Sequence, residues 1–222
     1  MPAEGPVRRS TPDPLPPIEP GQALVVVVSA CLLGEPVGYD GSSWPSDLVA
    51  RIAAHPRVVC VPFCPEAHAM GVPRRWMSIH HGDGFDVLDG AARVVNVDAE
   101  DISEPFRQGA QALLALARER GARLAILTDI SPMCGSSVVY RGEALPDRAY
   151  QPSSGVGAAL LRRSGIPVVS QRDQATLQAL LSLLDPGFSP DPEARNFHEQ
   201  AWYQQTFIHP APPGPEPVFE DA

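Results

Sequence analysis

Residues 24–29 read Leu-Val-Val-Val-Val-Ser, a short apolar run that ends just before Cys31. A continuous run of branched aliphatic residues is typical of a strand buried on both faces, as in the centre of a parallel sheet. Comparable apolar runs precede Cys64 and Cys134. Because the carboxyl ends of parallel strands share one edge of a sheet, and ligands bind there, the sequence predicts that these three cysteines meet at that edge.

The rest of the chain alternates between strand-like and helix-like segments. Alternation at this spacing favours right-handed strand–helix–strand crossovers, and hence a parallel sheet packed against helices. We therefore predict an α/β fold, a compact Rossmann-like arrangement of three layers with a mostly parallel central sheet. The predicted central strands are 24–29, 57–62, 123–128 and 166–170, and the predicted helices are 46–54, 103–120, 155–164 and 174–184.

A different pattern occupies the region between the second strand and the long helix. Glycines separate short β-like segments at 76–80, 85–88 and 92–97, which predicts a small β-hairpin excursion rather than core sheet. A second small hairpin is predicted from 138–141 and 144–146.

The 26 prolines of the chain concentrate near its two ends. Proline-rich, polar composition is typical of irregular structure. We predict an irregular N-terminal tail over 1–20, one α/β domain over 21–185 and a Pro-rich C-terminal tail over 186–222. Four aromatic residues of the C-terminal tail are candidates either for docking on the domain or for binding a partner of unknown identity: Phe197, Trp202, Tyr203 and Phe207.

Charge and composition exclude several classes of function. A net charge of −9 disfavours binding to a long nucleic acid, which requires clustered basic residues. All 17 basic residues are arginines, so chemistry that needs a lysine, such as a Schiff base or a Walker-type phosphate loop, is excluded. No apolar run is long enough to span a bilayer, and the four cysteines are too few for a disulfide framework. We predict a soluble, cytoplasmic protein with reduced thiols and no membrane partner.

The cysteines are candidates for a metal site. Three soft thiolates that meet at one point suit a metal ion or an iron–sulfur cluster with one coordination position free. Cys60 lies inside a strand, where a cysteine is usually a buried core residue. No Cys-x-x-Cys pair is present, so zinc-ribbon and thioredoxin-like sites lack their usual signature. The spacing alone leaves open a shared metal site, a cluster or three unrelated thiols.

Polar residues beside these cysteines are candidates for catalysis. Glu66 follows Cys64 by two residues across Pro65, which is expected to form a turn, and it is a candidate general base. Asp40 is a weaker candidate, because Asp-Gly is an ordinary turn. The segment 131–137, Ser-Pro-Met-Cys-Gly-Ser-Ser, offers hydroxyl and backbone N–H groups that could bind a cluster sulfide or a substrate carbonyl.

These segments, taken together, resemble the thiouracil desulfurase family. The resemblance rests on the order and spacing of four motifs and runs from about Leu24 to Arg172. The motifs are Ser-Ala-Cys-Leu-Leu-Gly-Glu-Pro-Val-Gly-Tyr-Asp-Gly at 29–41, Cys-Pro-Glu at 64–66, Val-Pro-Arg at 72–74 and Ser-Pro-Met-Cys-Gly-Ser at 131–136.

The resemblance implies a cofactor and an activity. It implies a [4Fe–4S] cluster held by Cys31, Cys64 and Cys134, and removal of sulfur from a thiolated pyrimidine base or nucleoside without net redox change. The products would be the oxo-pyrimidine and hydrosulfide. It also matches Glu66, Ser131 and Asp40 to positions of the family's active-site motifs. Two alternatives remain: a cluster-bearing sulfur carrier or transferase, and a non-catalytic redox-sensing module that binds an iron–sulfur cluster or zinc.

Three residues depart from the family's usual pattern. Met133 stands where a serine is frequent, Thr128 where a lysine is frequent, and Trp76 where a proline is expected after Pro-Arg. These departures leave the three cysteines intact. The sequence therefore predicts the cluster ligands more firmly than the substrate pocket, and it leaves open whether 2-thio or 4-thio compounds are preferred.

Overall fold

The computed structural model describes residues 11–19, 21–142 and 149–209, and it confirms the α/β fold. The strands are β1 (Leu24–Ser29), β2 (Val58–Phe63), β3 (Met77–His80), β4 (Arg93–Asn96), β5 (Leu124–Leu127), β6 (Val138–Arg141), β7 (Ala149–Pro152) and β8 (Val168–Ser170). The helices are α1 (Asp47–Ala53), α2 (Pro65–Met70), α3 (Gly84–Leu88), α4 (Ser103–Glu119), α5 (Val156–Arg163), α6 (Gln174–Leu184) and α7 (Ala201–Tyr203).

The central sheet has the strand order β2-β1-β5-β8, and its pairings are parallel. Ser29 at the end of β1 lies opposite Phe63 at the end of β2. Leu127 at the end of β5 lies opposite Ser170 at the end of β8. The carboxyl ends of these strands therefore form one edge, and the segments that follow them are neighbours in space.

The valines of β1 alternate between two buried clusters, one on each face of the central sheet. Val26 and Val28 pack with residues of α1 and α6, whereas Val27 packs with residues of α4 and α5. Because helices cover both faces, every position of this strand is favourable for an apolar residue. This packing produces the predicted three layers.

The hairpin excursion belongs to a second sheet with the order β4-β3-β6-β7. β3 and β4 lie where strands were predicted. The predicted strand at 85–88 is wrong, because these residues belong to α3. Asp83 accepts hydrogen bonds from the backbone N–H groups of Phe85 (2.8 Å) and Asp86 (3.1 Å), and this capping box starts a helix that a four-residue pattern does not reveal.

The second predicted hairpin forms with a different partner strand. β6 occupies 138–141 as predicted, and it pairs antiparallel with β7, so that Val138 lies opposite Pro152. The predicted second arm at 144–146 lies outside the described residues.

The turn predicted at Cys64-Pro-Glu is wrong, because α2 begins at Pro65. Cys64 is the N-cap residue and has an extended backbone, with φ −119° and ψ 103°. A proline forces the preceding residue out of helical geometry, but it is itself well suited to the first position of a helix. The rule that suggested a turn therefore describes the start of a helix here.

Both chain ends pack on the domain where they are described. Asp13 forms a buried ion pair with Arg162 at 2.8 Å and accepts a hydrogen bond from the backbone N–H of Val168. Residues 186–209, which we call the C-terminal segment, contain α7 with further helical turns at 197–199 and 204–208, although an irregular tail was predicted. No helix in the described part of the chain is long and apolar enough to cross a membrane.

Candidate functional site

A cavity of about 510 Å³ opens at the carboxyl edge of the central sheet. Its walls include the segments that follow β1, β2, β5 and β8, which is the expected position of a ligand site in a parallel sheet. The lining contains every residue that the sequence analysis selected for the site: Cys31, Cys64, Cys134, Glu66, Ser131 and Asp40.

Cys31 is placed by the 3-10 helical turn Ala30–Leu33, which directly follows β1. The turn ends at Gly34, whose φ of +89° is readily adopted only by glycine. The thiol is buried, and burial, with added effects of Cys64 and Glu66, raises the pKa of Cys31 to about 12. The neutral thiol is therefore the stable form of Cys31 in the protein alone.

Cys64 caps the first turn of α2, and its Sγ accepts a hydrogen bond from the backbone N–H of Ala67 at 3.4 Å. α4 approaches this turn closely at Gly109, where a Cβ atom would lie 2.6 Å from the carbonyl oxygen of Pro65. Glycine at this position therefore allows α2 to carry Cys64 and Glu66 at the sheet edge. Burial raises the pKa of Cys64, and the charge of Glu66 raises it further.

Cys134 lies in the loop after β5, and Ser131 organises that loop. The Oγ of Ser131 accepts hydrogen bonds from the backbone N–H groups of Met133 (3.1 Å) and Cys134 (2.9 Å). The thiol of Cys134 is buried. Burial first, and then the acidic groups around the same cavity, raise the pKa of Cys134 well above its ordinary value.

The setting of the three thiols fits a cofactor that supplies positive charge. Cys31 and Cys134 are buried and Cys64 is half-buried. Burial and neighbouring groups raise the pKa of all three thiols, so ionising them together is unfavourable unless a cation is bound among them. Three thiolates are soft donors that suit iron–sulfur clusters and soft metal ions. Among the described residues, no three His, Cys, Asp or Glu side chains are grouped so that they could hold one metal ion. By its chemistry, a set of three soft thiolates fits an iron–sulfur cluster.

Glu66 is held from two sides at the edge of the cavity. The Nη2 and Nε atoms of Arg74 donate to its Oε2 at 2.5 Å and 3.1 Å. The hydroxyl of Ser131 donates to its Oε1 at 3.1 Å. Only 11% of the Glu66 side chain and 6% of the Arg74 side chain are exposed. The carboxylate therefore has a fixed orientation beside the loop that carries Cys134.

Arg74 is a site residue that was not among the predicted catalytic and cluster-binding residues. Besides its bonds to Glu66, it donates from Nη1 to the carbonyl oxygen of Val37 at 3.0 Å, and so it ties the loop after Cys31 to α2. Its neighbour Arg75 is exposed and pairs with Asp98. The adjacent arginines 74 and 75 were a candidate pair for binding an anionic or carbonyl group, but the sequence did not identify the carboxylate with which Arg74 pairs.

Asp40 lies at the rim of the cavity in the turn that its Asp-Gly sequence suggests. Its Oδ1 accepts hydrogen bonds from the backbone N–H (3.0 Å) and the hydroxyl (2.5 Å) of Ser42. These hydrogen bonds lower the pKa of Asp40. The structure places an ionised, exposed carboxylate here, and its catalytic role stays a prediction.

Asp129 is a second residue that the sequence analysis missed. It lines the cavity, and its buried Oδ1 accepts hydrogen bonds from the backbone N–H groups of Ile130 and Val138, each at 2.9 Å. These bonds join the two ends of the loop that presents Ser131 and Cys134. Burial raises the pKa of Asp129.

Two of the three residues that depart from the family pattern lie in the cavity wall. Trp76 and Thr128 line the cavity, and the ring of Trp76 contacts that of Tyr140, with centroids 5.1 Å apart. Met133 is fully buried in the core instead. Cys60 is half-buried on β2, an edge strand, packs against the α1–α6 side of the core, and is not part of the cavity lining.

The fold and site define an α/β protein whose sheet edge carries three thiols, an oriented carboxylate and a hydroxyl around one cavity. A family model described as 2-thiouracil desulfurase matches residues 26–173. The chain belongs to the 2-thiouracil desulfurase family, which confirms the resemblance found in the sequence.

Two individual proteins illustrate this relationship. An uncharacterized protein of Bacillus subtilis (strain 168), YbbK, is 35% identical over 150 residues, which are 67% of this chain and 97% of the relative. A solved structure described as a [4Fe–4S]-dependent thiouracil desulfidase, TudS, is 34% identical with a TM-score of 0.59, and the match covers 73% of this chain and 99% of that structure. The family match ends before α6, so the C-terminal segment lies outside it.

Proposed function

We propose that this protein removes sulfur from a thiolated pyrimidine of the thiouracil or thiouridine type and releases the oxo-pyrimidine and hydrosulfide. The observation that carries the proposal is the convergence of Cys31, Cys64 and Cys134 on the cavity that also contains Glu66 and Ser131. Membership of the desulfurase family and the printed description of the related solved structure support the same activity.

The proposed cofactor is a [4Fe–4S] cluster held by the three cysteines. Their shared cavity and soft donor atoms support this assignment. When bound, the cluster would supply a Lewis-acidic iron that is soft enough to prefer the sulfur of a thiocarbonyl group.

Glu66 is proposed to be the general base. Its carboxylate lies at the cavity wall and is oriented by Arg74 and Ser131, so it can accept a proton from a water molecule that attacks the thiocarbonyl carbon. Water supplies the oxygen of the product, and the C–S bond breaks with its electron pair on sulfur, which leaves as hydrosulfide. No electron acceptor or donor is consumed, so the reaction is not a redox reaction.

Ser131 and Asp40 are proposed to position the reactants. Ser131 donates to Glu66 while it accepts two backbone hydrogen bonds, so its hydroxyl proton is directed toward the carboxylate. Asp40 presents an ionised carboxylate at the rim, where it can accept a hydrogen bond from a ring N–H of the substrate.

A small-molecule substrate agrees with the charge of the chain. A net charge of −9 disfavours a long phosphate backbone more than a free base or nucleoside. We propose a cytoplasmic location, because reduced thiols are required for the cluster ligands.

The test is a turnover assay on protein reconstituted with iron and sulfide in the absence of air. With 2-thiouracil or 4-thiouracil as substrate, and with no added thiol acceptor, we expect uracil and free sulfide in equal amounts. Sulfide that appears only after an acceptor is added would support the sulfur-carrier alternative. Reconstituted protein that binds iron but leaves both thiouracils unchanged would support a non-catalytic module.

A further inference from the structure

Arg172 is an arginine of the cavity wall that forms no ion pair with any residue the structure describes. It lies directly after β8 and lines the cavity. Its Nε atom is buried, and no described residue accepts a hydrogen bond from it. The cavity's other arginine, Arg74, donates to a carboxylate and to backbone carbonyl groups. A buried donor without an acceptor is unfavourable, so an acceptor supplied by a ligand would satisfy it.

The C-terminal segment holds this arginine in place. The guanidinium carbon of Arg172 lies 4.9 Å from the centre of the Phe197 ring. The side chain of Gln200 donates to the backbone carbonyl of Arg172 at 2.7 Å. The backbone N–H of Phe197 donates to the buried carboxylate of Asp173 at 3.0 Å. The fully buried ring of Phe197 therefore packs against the guanidinium of Arg172, and hydrogen bonds hold both residues at the end of β8.

The same segment is also linked to the cavity wall through a chain of aromatic rings. Trp202 stacks on Phe197 with ring centroids 5.6 Å apart, and it meets the ring of Tyr150 at 5.5 Å. Tyr150 in turn contacts Tyr140, and Tyr140 contacts Trp76 in the cavity wall. These contacts connect the C-terminal segment to two separate parts of the cavity, although the segment lies outside the family match.

We propose that Arg172, held by Phe197 of the C-terminal segment, is a substrate-binding residue that donates to an oxygen of the thiopyrimidine substrate remote from the thiocarbonyl group. The inference rests on the proposed function. Arg172 follows β8 and Glu66 follows β2, at opposite ends of the strand order, and three strand spacings amount to about 14 Å. The two side chains therefore enter the cavity from separate strand ends, which assigns the guanidinium to an atom of the substrate other than its reacting carbon.

Two kinds of substrate oxygen could accept a hydrogen bond from Arg172: the remaining carbonyl oxygen of the pyrimidine ring and a phosphate oxygen of a nucleotide. The experiment compares thiouracil with thiouridine 5′-monophosphate on the reconstituted full chain. For Arg172→Gln we expect KM to rise about tenfold to a hundredfold, the range given by loss of a hydrogen bond to a charged group, while kcat changes little. An effect on both substrates identifies the ring carbonyl, and an effect on the nucleotide alone identifies the phosphate.

Phe197→Leu tests the part played by the C-terminal segment. Loss of the aromatic ring should raise KM about threefold to tenfold, because the guanidinium keeps its charge but loses its support. The matched controls are Phe188→Leu, which removes the ring beneath Arg51 in the same segment, and Arg195→Gln, an exposed arginine of that segment. Neither residue lines the cavity, and both controls should keep the wild-type KM.

A second readout does not depend on turnover. The dissociation constants of uracil and uridine 5′-monophosphate, measured by calorimetry, should rise with KM in Arg172→Gln. If that variant does not fold, Arg172→Lys carries the same prediction with a smaller rise. Wild-type protein that releases no sulfide would overturn the proposed function and this inference with it. Wild-type release together with unchanged KM and dissociation constants in the Arg172 variants would overturn this inference alone.

Discussion

The two ends of the cavity differ in how their arginines are paired. At the β2 end, Arg74 is bonded to Glu66, which is bonded in turn to Ser131. At the β8 end, Arg172 stacks on Phe197, and its Nε has no acceptor among the described residues. Both arginines line the same cavity, but they differ in their partners.

This difference indicates two roles for the same residue type. A buried guanidinium that is bonded to a carboxylate stabilises the geometry of that carboxylate, and the pair depends on both members. A guanidinium without an acceptor contributes little to folding, but it is ready to bind one. The variants below test this contrast, from the largest expected effect to the smallest.

The largest effect is expected at the thiols. Cys134→Ala should abolish both the colour of the reconstituted protein and sulfide release, because two cysteines are left at a site that needs three. Visible absorbance and the sulfide assay check this. Cys60→Ser is the matched control, since Cys60 lies outside the cavity lining, and it should retain both properties. Full activity in Cys134→Ala would rule out the proposed mechanism.

The next largest effect is expected at the proposed base. Glu66→Gln keeps the size of the side chain but removes the carboxylate, and it should lower kcat about 10²- to 10⁴-fold, the range typical of general-base catalysis. Iron content should stay at the wild-type value, because no cluster ligand changes. A kcat within a few-fold of wild type would show that Glu66 is not the general base.

The different roles of Arg74 and Arg172 are tested by measuring the free energy of unfolding of their variants. Arg74→Gln leaves the buried carboxylate of Glu66 without its charge partner and should lower the free energy of unfolding by about 3–5 kcal/mol. Arg172→Gln removes an Nε that has no acceptor among the described residues, and it should change the free energy of unfolding much less, as should Arg75→Gln on the exposed surface. Denaturant unfolding of the three variants measures these differences. Equal losses of unfolding free energy in Arg74→Gln and Arg172→Gln would contradict the assignment of a structural role to Arg74 and a binding role to Arg172.

The smallest effect is expected at Asp173, which anchors the C-terminal segment. Burial raises the pKa of Asp173 from 3.8 to about 6, with an added effect of Asp129, while His198 opposes the shift. The folded state therefore binds this proton more tightly than the unfolded chain does. The stabilisation is complete at low pH, below the ordinary pKa, and is lost as the pH rises through the folded pKa.

Asp173→Asn removes this titration. Relative to the variant, the wild type should lose on the order of 3 kcal/mol of unfolding free energy as the pH rises from about 4 to about 7. Unfolding curves recorded across this pH range check the slope. Parallel pH profiles for the two proteins would show that this carboxyl does not titrate differently on folding.

The sequence predicted the central strands and the site cysteines because their signals are local. Continuous apolar runs mark strands that are buried on both faces, and the cysteines directly follow such strands. The prediction of a strand at 85–88 was wrong because a pattern of four residues does not distinguish a strand from a helical turn. Capping by Asp83 makes this segment helical. The prediction of a turn at Cys64-Pro-Glu was wrong because a proline can follow the N-cap of a helix as well as form a turn.

The contacts that the sequence could not predict join distant segments. Arg74 and Arg75 are equivalent in the sequence, and only the fold brings Glu66 to one of them and Asp98 to the other. Asp129 gains its role from backbone groups on the far side of its own loop. Phe197 and Arg172 meet only because the C-terminal segment returns to the end of β8.

The most direct test of the central claim is the iron and acid-labile sulfide content of the protein prepared without air. The account predicts close to four irons and four sulfides per chain, as the formula of a [4Fe–4S] cluster requires, and their loss when Cys31, Cys64 or Cys134 is replaced. A preparation that holds zinc in place of iron, or that keeps its full iron content after these replacements, would contradict it.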